Sequence, residues 1–576
     1  MEPIASEKPK GENRVSRRDF LKAATVATAG AAIGVTVVTD VVAQDWHEEY
    51  DVVVVGSGGA GLAAAAGAIH QGATVKVVEK AELAGGTTLK SGGVYWIPNN
   101  PFMVEDGIED KKEDALRYMA RCAWPHLYRA GSQTFGLTDH NYRLLETFYD
   151  QAARVNKELS DIGALKSVRY PTYGWKPIPD YYAGLPENKA PQGRSIHPAD
   201  PAGQPGAGND LIEQLQAFLE KHGGEVALET GVIRALVDAD RRVLGVVART
   251  GEEKEVTIRA KKGVIFASGG FTQNPEMREA YLRLPVLGGC AVPTNQGDFV
   301  KIAIKLGAQL GNMNEAWLQQ EVLDEVLEYN SVPFGVFFLG GDSMVQVNRL
   351  GRRTCNEKTT YNERTRSHLV WDPARGEYSN RFQFMIFDEH ARSFGGVMVP
   401  PPGEFVPPYI VKADTLDELA AKIDEKLASF EDRIGHFRLD ADFLSNLKET
   451  IERFNGFAET GKDRDFLRGE APIDQFFAPP KGFEVTTPNP WLYPISDKGP
   501  YYAIVLAAGT LDTKGGAVFD EHGRVLDTDN KPIEGLYVAG NASASPSGQS
   551  YWGAGGTLGL GITFGFIAGE HAARRT

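Results

Sequence analysis

A strand, glycine loop and helix near the start, two apolar strands far downstream and two amphipathic helical stretches between them predict an α/β fold: a discontinuous Rossmann-like unit interrupted by an inserted α+β catalytic or capping domain. Tyr50-Asp51-Val52-Val53-Val54-Val55 is a short β-branched run that suits a buried parallel strand, and it leads directly into Gly56-Ser57-Gly58-Gly59-Ala60-Gly61 and an alanine-rich helix over residues 62–69. The downstream strands are residues 264–270 and 535–541, and the helical stretches are residues 416–429 and 441–457. Residues 48–315 and 490–576 are therefore expected to build the nucleotide-binding unit, with residues 316–489 inserted as the second domain. Proline pairs and triplets at 400–402, 407–408 and 479–480 read as loops.

Glycine makes up 64 of 576 residues, about 11% against a usual level of about 7%, and it is bunched rather than spread as linker. The 61 basic and 76 acidic residues leave a formal charge of -15, which disfavours nucleic acid or an anionic membrane surface as a partner. Cys122, Cys290 and Cys355 are too far apart for a C-x-x-C pair, a haem attachment or a zinc ligand set, so no metal is expected.

Residues 1–43 read as an address. Ser16-Arg17-Arg18-Asp19-Phe20-Leu21-Lys22 is followed by an uncharged stretch over residues 23–39 and by Val41-Val42-Ala43, a small-residue cleavage pattern. This is the pattern of a twin-arginine export signal. Its uncharged stretch is weakly apolar and shorter than the roughly 20 residues that span a bilayer, so the mature chain is expected in the periplasm without a transmembrane anchor.

A bare G-x-G-x-x-G is weak evidence, but here it joins a strand to a helix, and a second strand over residues 74–78 ends in Glu79-Lys80. In this setting Gly56 permits the tight turn, Gly58 lets the main chain approach a pyrophosphate at the helix N-terminus, and Gly61 allows close helix-to-sheet packing. Ser57, Gly59 and Ala60 complete the loop, and Glu79 is expected to bond the adenosine ribose hydroxyls.

A second cluster, Gly85-Gly86-Thr87-Thr88-Leu89-Lys90-Ser91-Gly92-Gly93, follows at once. It resembles the G-G-x-[ST]-x-x-S-G-G loop of the flavoprotein superfamily of fumarate reductase, succinate dehydrogenase and the 3-ketosteroid dehydrogenases, where that loop wraps FAD. The resemblance implies FAD as cofactor, held by Gly86, Thr87, Thr88, Ser91, Gly92 and Gly93. Thr230-Gly231-Val232 is similar to the segment that holds adenine, Ala267-Ser268-Gly269-Gly270 to the strand end A-x-G-G, and Gly540-Asn541 to the strand that closes the flavin site.

Within that superfamily the closing segment selects a branch. Gly548-Gln549-Ser550-Tyr551-Trp552-Gly553-Ala554-Gly555-Gly556-Thr557-Leu558 lacks the arginine-bearing N-R-L-G-G-N of fumarate reductases and resembles the S-Y-x-G-A-G of 3-ketosteroid Δ1-dehydrogenases, with Trp552 where that family has proline. Pro179-Asp180-Tyr181-Tyr182 with Gly193-Arg194-Ser195, Gly351-Arg352-Arg353 through Asn356-Glu357 to Tyr361, and Gly509 to Gly516 are similar to further motifs of the family. The resemblance implies removal of two hydrogens from adjacent carbons beside a ketone. Tyr551 and the Gly555 N–H would polarise the carbonyl, Tyr361 would abstract the proton with help from Tyr181 or Tyr182, and Thr557 and Leu558 would lie along the flavin. The expected partners are a small hydrophobic, steroid-like ketone and an external electron acceptor such as a quinone or cytochrome. Two other functions stay open at this level: a periplasmic fumarate-reductase-like enzyme that reduces an activated alkene, and a non-catalytic flavin-binding electron carrier. Asp512-Thr513-Lys514 reads as a salt-bridged turn, and Arg352-Arg353 as a solvated face or loop anchor.

Overall fold

The structure is a computed structural model, and it describes residues 45–170, 178–282, 285–329, 331–333, 336–403, 405–476 and 486–576. The signal segment 1–43 and Pro479-Pro480 lie outside the described residues.

Strand β1 (Glu48–Val55) buries its four valines Val52 to Val55, as a strand covered on both faces must. It enters helix α1 (Gly59–His70), whose Gly/Ala composition lets it lie in the core along nearly its whole length. β2 (Val75–Val78) returns parallel to β1, pairing Val52 with Val75 and Val55 with Val78, and β3 (Glu225–Ala227) extends the sheet beyond β2. A meander of β4 (Gly231–Val237), β5 (Val243–Arg249) and β6 (Glu255–Phe266) follows. The last half of β6 lies parallel to β1 on its other side, Val52 facing Gly263 and Val55 facing Phe266.

The second sheet is antiparallel, with strands β7 (Ala316–Val322), β8 (Met344–Val347), β9 (Phe382–Asp388), β10 (Ile410–Ala413) and β11 (Tyr501–Thr513). Its path runs β7-β11-β9-β8, with β10 also pairing β11, so β7 is an edge strand. A short helix, α2 (Tyr361–Arg366), lies against β7. Helices α3 (Leu416–Ser429) and α4 (Phe443–Thr460) cover one face, placing Leu419, Ile423, Leu447 and Phe454 against Phe384 and Val505. α3 has the expected bounds, while α4 runs on to Thr460, where Gly461 in the left-handed region ends it.

β11 falls in the segment expected to return to the nucleotide-binding unit after residue 490, but its hydrogen bonds put it in the middle of the second sheet, and the chain leaves that sheet only after Thr513. Residues 501–510 are buried on both faces, so the run carries no alternation from which its sheet could be told. The return is made by β12 (Arg524–Leu526) and β13 (Pro532–Val538), the latter parallel to β6 with Leu536 facing Val264.

Helix α5 (Gly556–Arg574) closes the chain against α1. Their backbones approach so closely that a Cβ on Gly565 would stand 2.3 Å from the Ala60 carbonyl oxygen, which accounts for part of the glycine excess. No helix among the described residues is long and apolar enough to cross a membrane.

Candidate active site

The C-terminal ends of β1, β2, β6 and β13 open onto a groove. Ligands of open α/β sheets bind at this end because helix N-termini and strand-end loops converge there. Gly56, Ser57, Gly58, Gly59, Ala60, Glu79, Lys80, Gly86, Thr87, Thr88, Val232, Ala267, Ser268, Gly269, Gly540, Asn541, Thr557 and Leu558 line it, as the motifs lead one to expect. Glu79 is held with one carboxylate oxygen accepting from the Ser57 N–H (2.9 Å) and O–H (2.7 Å) and the other from the Ala81 N–H (2.9 Å). The groove also exposes polar atoms that nothing in the protein satisfies. Ser268 Oγ and Thr557 Oγ1 are buried and have no hydrogen-bond partner among the described residues, and at the start of α1, whose N-cap is Gly58, the Gly59 N–H donates to Thr88 Oγ1 (3.1 Å). These are the features an extended, phosphate-bearing polar cofactor would complete.

Four expected cofactor residues do not line the groove. Gly61 packs on the turn behind it, where a Cβ would stand 1.9 Å from the Gly56 carbonyl oxygen. Ser91, Gly92 and Gly93 lie beyond the groove lining. Ser91 bonds back to Thr88 O (2.8 Å), and its own carbonyl accepts from the Gly208 N–H (2.9 Å), tying the loop to the helix Gly208–Lys221. Conversely, Val292, Thr294, Asn295, Asp298, Phe299, Ile302 and Asp512 line the groove without having been singled out as cofactor contacts. Residues 292–302 carry no motif beyond a Gly-Asp helix start. Asp512 is not salt-bridged to Lys514 as expected; it accepts from Gly270 N (3.0 Å), Asn295 Nδ2 (2.7 Å) and Asn541 Nδ2 (2.9 Å), and burial raises its carboxyl.

Three of the four candidate tyrosines meet beside this groove. The rings of Tyr181, Tyr361 and Tyr551 form a triangle of edge-to-face contacts, with centroids 5.8 Å (Tyr181 to Tyr361), 5.2 Å (Tyr181 to Tyr551) and 5.8 Å (Tyr361 to Tyr551) apart. The Tyr181 hydroxyl donates to Tyr361 Oη across 3.0 Å. Tyr182 is not in the cluster: its hydroxyl turns the other way and donates to Glu363 Oε1 (2.6 Å). Burial pushes the Tyr181 and Tyr361 phenols well above their ordinary range and raises Tyr551 as well, where Tyr361 and the Gly555 N–H oppose the rise. Among the described residues no arginine, lysine or histidine hydrogen-bonds to any of the three phenols.

Each phenol is placed by a different element. Tyr361 is the first residue of α2, capped by Thr360, and the neighbouring Asn362 Oδ1 accepts from the Leu318 N–H at the free edge of β7 (3.2 Å). Tyr181 is set by Asp180, which is buried and takes the Trp96 indole N–H (2.8 Å) and the Arg194 guanidinium; Arg194 also binds Asp110 with two bonds of 2.7 Å. That ion pair joins the two halves of the P-D-Y-Y and G-R-S motif. Ser195 Oγ then donates to Ala554 O (2.7 Å) and pins the loop that carries Tyr551. Trp552 does not reach the tyrosines. Its ring packs inward on Trp96 (5.5 Å) and Phe148 (5.9 Å), while its carbonyl accepts from the Tyr181 N–H (2.9 Å).

Gly555 adopts φ +84° as the N-cap of α5, and a Cβ there would lie 2.5 Å from Tyr95 Cα, so only glycine puts its N–H beside Tyr551. Thr557 and Leu558, on the first turn of the same helix, face the groove. Trp317 on β7 links both sites: its ring is 4.8 Å from that of Tyr551, and its indole N–H donates to Asn541 Oδ1 (3.0 Å). Lys514 is fully buried, with Nζ 3.9 Å from the Trp317 ring centre, and donates to the Ser550 and Gly548 carbonyls just before Tyr551. Arg352 is exposed and pairs with Glu449, whereas Arg353 is a buried anchor between Glu357 and Asp463.

Residues 51–558 match the family model of the FAD binding domain, and residues 14–34 match the twin-arginine translocation signal. The chain is 33% identical over 600 residues to the 3-oxosteroid 1-dehydrogenase of Mycolicibacterium smegmatis, covering 90% of this chain and 96% of that one. It is 32% identical over 561 residues to the 4-oxocyclohexanecarboxylate 2-dehydrogenase of Sinomonas cyclohexanicum, covering 91% and 93%. Among solved structures, the 3-ketosteroid Δ1-dehydrogenase of Sterolibacterium denitrificans, in complex with 1,4-androstadiene-3,17-dione, superposes with a TM-score of 0.76 at 29% identity, covering 91% of this chain and 99% of that one. The groove, its unsatisfied polar atoms and these relatives lead to one conclusion: the chain belongs to the 3-oxosteroid 1-dehydrogenase family of FAD-binding flavoproteins, and is an FAD-dependent oxidoreductase exported through the twin-arginine pathway to the periplasm.

Proposed function

We propose that the chain oxidises a 3-oxosteroid or related cyclic ketone, taking one hydrogen from the carbon next to the carbonyl and one from the carbon beyond it, so that an enone is formed. The observation that supports this best is the meeting of two neutral donors, the Tyr551 hydroxyl and the Gly555 N–H, with the Tyr181–Tyr361 pair, in a cluster with no cation bonded to its phenols. A ketone α-proton is too weakly acidic to leave unaided, so the site has to stabilise the enolate charge that develops on oxygen. Tyr551 and Gly555 donate hydrogen bonds to that oxygen. Tyr361 accepts the α-proton on its phenol oxygen, which the Tyr181 hydroxyl stabilises as it begins as a phenolate. The groove residues, among them Gly58, Glu79, Thr88 and Asn541, would hold FAD, which would supply the acceptor for the hydride, and an external acceptor would be needed to take the electron pair onward. Packing of Trp96, Phe148 and Trp552 behind Tyr181 keeps water from that side of the phenols.

The test is anaerobic addition of 4-androstene-3,17-dione to the purified FAD-loaded protein, followed by steady-state turnover with an artificial electron acceptor. Bleaching of the flavin and formation of the 1,4-dienone support the function; neither signal with any member of a cyclic ketone panel sinks it. An enzyme that instead reoxidises reduced flavin only with an enoate would be a reductase.

A further inference from the structure

Three carboxylates line the groove among the described residues, and they divide between its two ends. Glu79 follows β2, and Asp298 pairs with the neighbouring Lys80 (2.9 Å), so both belong to the end expected to hold adenosine. Asp512 stands at the other end. It accepts from Asn541, Asn541 accepts from the Trp317 indole, and the Trp317 ring packs on Tyr551, so this part of the groove wall is tied to the phenols. Asp512 is also the partner of Trp317 across the β7–β11 pair, next to a bulge in the register that re-aims the side chains there. The proton chemistry of the tyrosines gives it no part.

The carboxylate is buried and collects five hydrogen bonds. Oδ2 accepts from the Gly270 N–H (3.0 Å), Asn295 Nδ2 (2.7 Å) and Asn541 Nδ2 (2.9 Å), and Oδ1 from the Thr513 N–H (2.7 Å) and the Thr272 hydroxyl (3.1 Å). All five donors are neutral. Lys514, two residues on, turns its ammonium to the Ser550 and Gly548 carbonyls instead. Four of the donors are N–H groups that cannot reverse, and an ionised carboxylate is the form that only accepts. Burial raises this carboxyl, and the same N–H groups oppose the rise. A negative charge is thus held by dipoles, with no cation among its partners, on the wall of the groove nearest the tyrosines.

We propose that Asp512 sets the reduction potential of the bound FAD: its charge, fixed at the ring end of the groove, destabilises the reduced cofactor and so favours release of the electron pair to the external acceptor. The proposal rests on the ketone reacting at the tyrosine cluster, which is what puts the flavin ring at this end. Oxidation of the ketone sends one proton to Tyr361 and a hydride, two electrons with one proton, to the ring. The ring therefore gains one negative charge, and a carboxylate on the wall opposes it. The opposition ends when an external quinone or dye takes two electrons and the proton leaves, which returns the ring to its neutral oxidised form. Hydride uptake becomes less favourable and electron release more favourable by the same factor.

The experiment is anaerobic equilibration of the FAD-loaded protein against a dye of known potential, with no ketone present. Asp512→Asn keeps the shape and the three-donor oxygen, while the Thr272 hydroxyl can turn to accept from the new amide. Its two-electron potential should rise by about 30–60 mV, a change of about 10–100-fold in the equilibrium constant at about 30 mV per tenfold. Reoxidation by a soluble quinone should slow in the same variant. Thr272→Val loosens the same cradle but leaves the charge, so its potential should stay within about threefold of the unmodified protein in equilibrium constant, by the same conversion. Asp512→Ser, smaller and also neutral, repeats the comparison if the asparagine variant does not fold. An unmoved or lowered potential in the neutral variant, or weaker FAD binding with the potential unchanged, overturns the role of Asp512 and leaves the ketone chemistry standing. A raised potential in a protein that bleaches with no ketone upholds Asp512 and overturns the ketone reading alone.

Discussion

Tyr361→Phe removes a single oxygen from the centre of the cluster. The ring and its contacts to Tyr181 and Tyr551 at 5.8 Å persist, but the Tyr181 hydroxyl loses the acceptor it holds at 3.0 Å. An unmade buried hydrogen bond of this kind costs about 1–3 kcal/mol of stability, a loss a domain of ordinary stability survives. The catalytic loss is larger. A positioned general base contributes roughly 10²–10⁴-fold, about 3–5 kcal/mol at about 1.4 kcal/mol per tenfold. Tyr181→Phe should cost less, and the double variant should be no slower than Tyr361→Phe alone, because both hydroxyls act on the same proton. The assay is anaerobic stopped-flow bleaching of the flavin at saturating ketone, with FAD content matched by absorbance. The sign of the pH dependence follows from burial, which raises the Tyr361 phenol well above its ordinary value, so the reactive phenolate grows as pH rises and bleaching should accelerate from about pH 7 to about pH 10. A flavin-replete Tyr361→Phe that bleaches within about threefold of the unmodified enzyme, where the base should supply roughly 10²–10⁴-fold, would refute Tyr361 as the base.

Three further predictions follow from the same geometry. Glu79→Ala removes the carboxylate poised by Ser57 and Ala81 at the adenosine end; FAD affinity should fall roughly 10–100-fold, the worth of a charge-assisted hydrogen bond, and fluorescence of flavin released on dilution measures it. Lys514→Met should lower kcat by roughly 10–100-fold with FAD retained and Lys514→Arg recovering part, since its two buried hydrogen bonds hold the loop in front of Tyr551; an unaltered kcat removes Lys514 from the positioning of Tyr551. His368 is buried between Gln320 and the Arg381 carbonyl, and burial lowers it to about 4. Its native form stays neutral while the unfolded chain takes up a proton, so acidification from about pH 6.5 to about pH 4 costs about 3 kcal/mol. Urea midpoints should drop across that window, and less steeply in His368→Gln.

The nucleotide-binding half is legible in the sequence because its signals are local. A β-branched run, glycines at fixed offsets and an acid at the end of the next strand each act within one βαβ unit, and the groove forms where they say it should. Sequence also brought out the tyrosines, each through its own motif, but it could not choose between Tyr181 and Tyr182. Adjacent residues in an irregular loop share a motif equally, and only the Asp180–Arg194 pair and the Trp552 carbonyl decide that Tyr181 points at Tyr361 while Tyr182 points at Glu363. The same holds for Trp552, which stands next to Tyr551 in the closing motif while its indole packs in the core. β11 joined the second sheet because strand pairing is a long-range choice that a run buried on both faces does not advertise. What the sequence determined by itself is thus the cofactor, the export route and the chemical family, all written in short-range patterns. What only the tertiary structure decided is which phenols hydrogen-bond to one another and which buried oxygens stand unpaired along β7, because those depend on side chains far apart in the chain meeting at distances of a few ångströms.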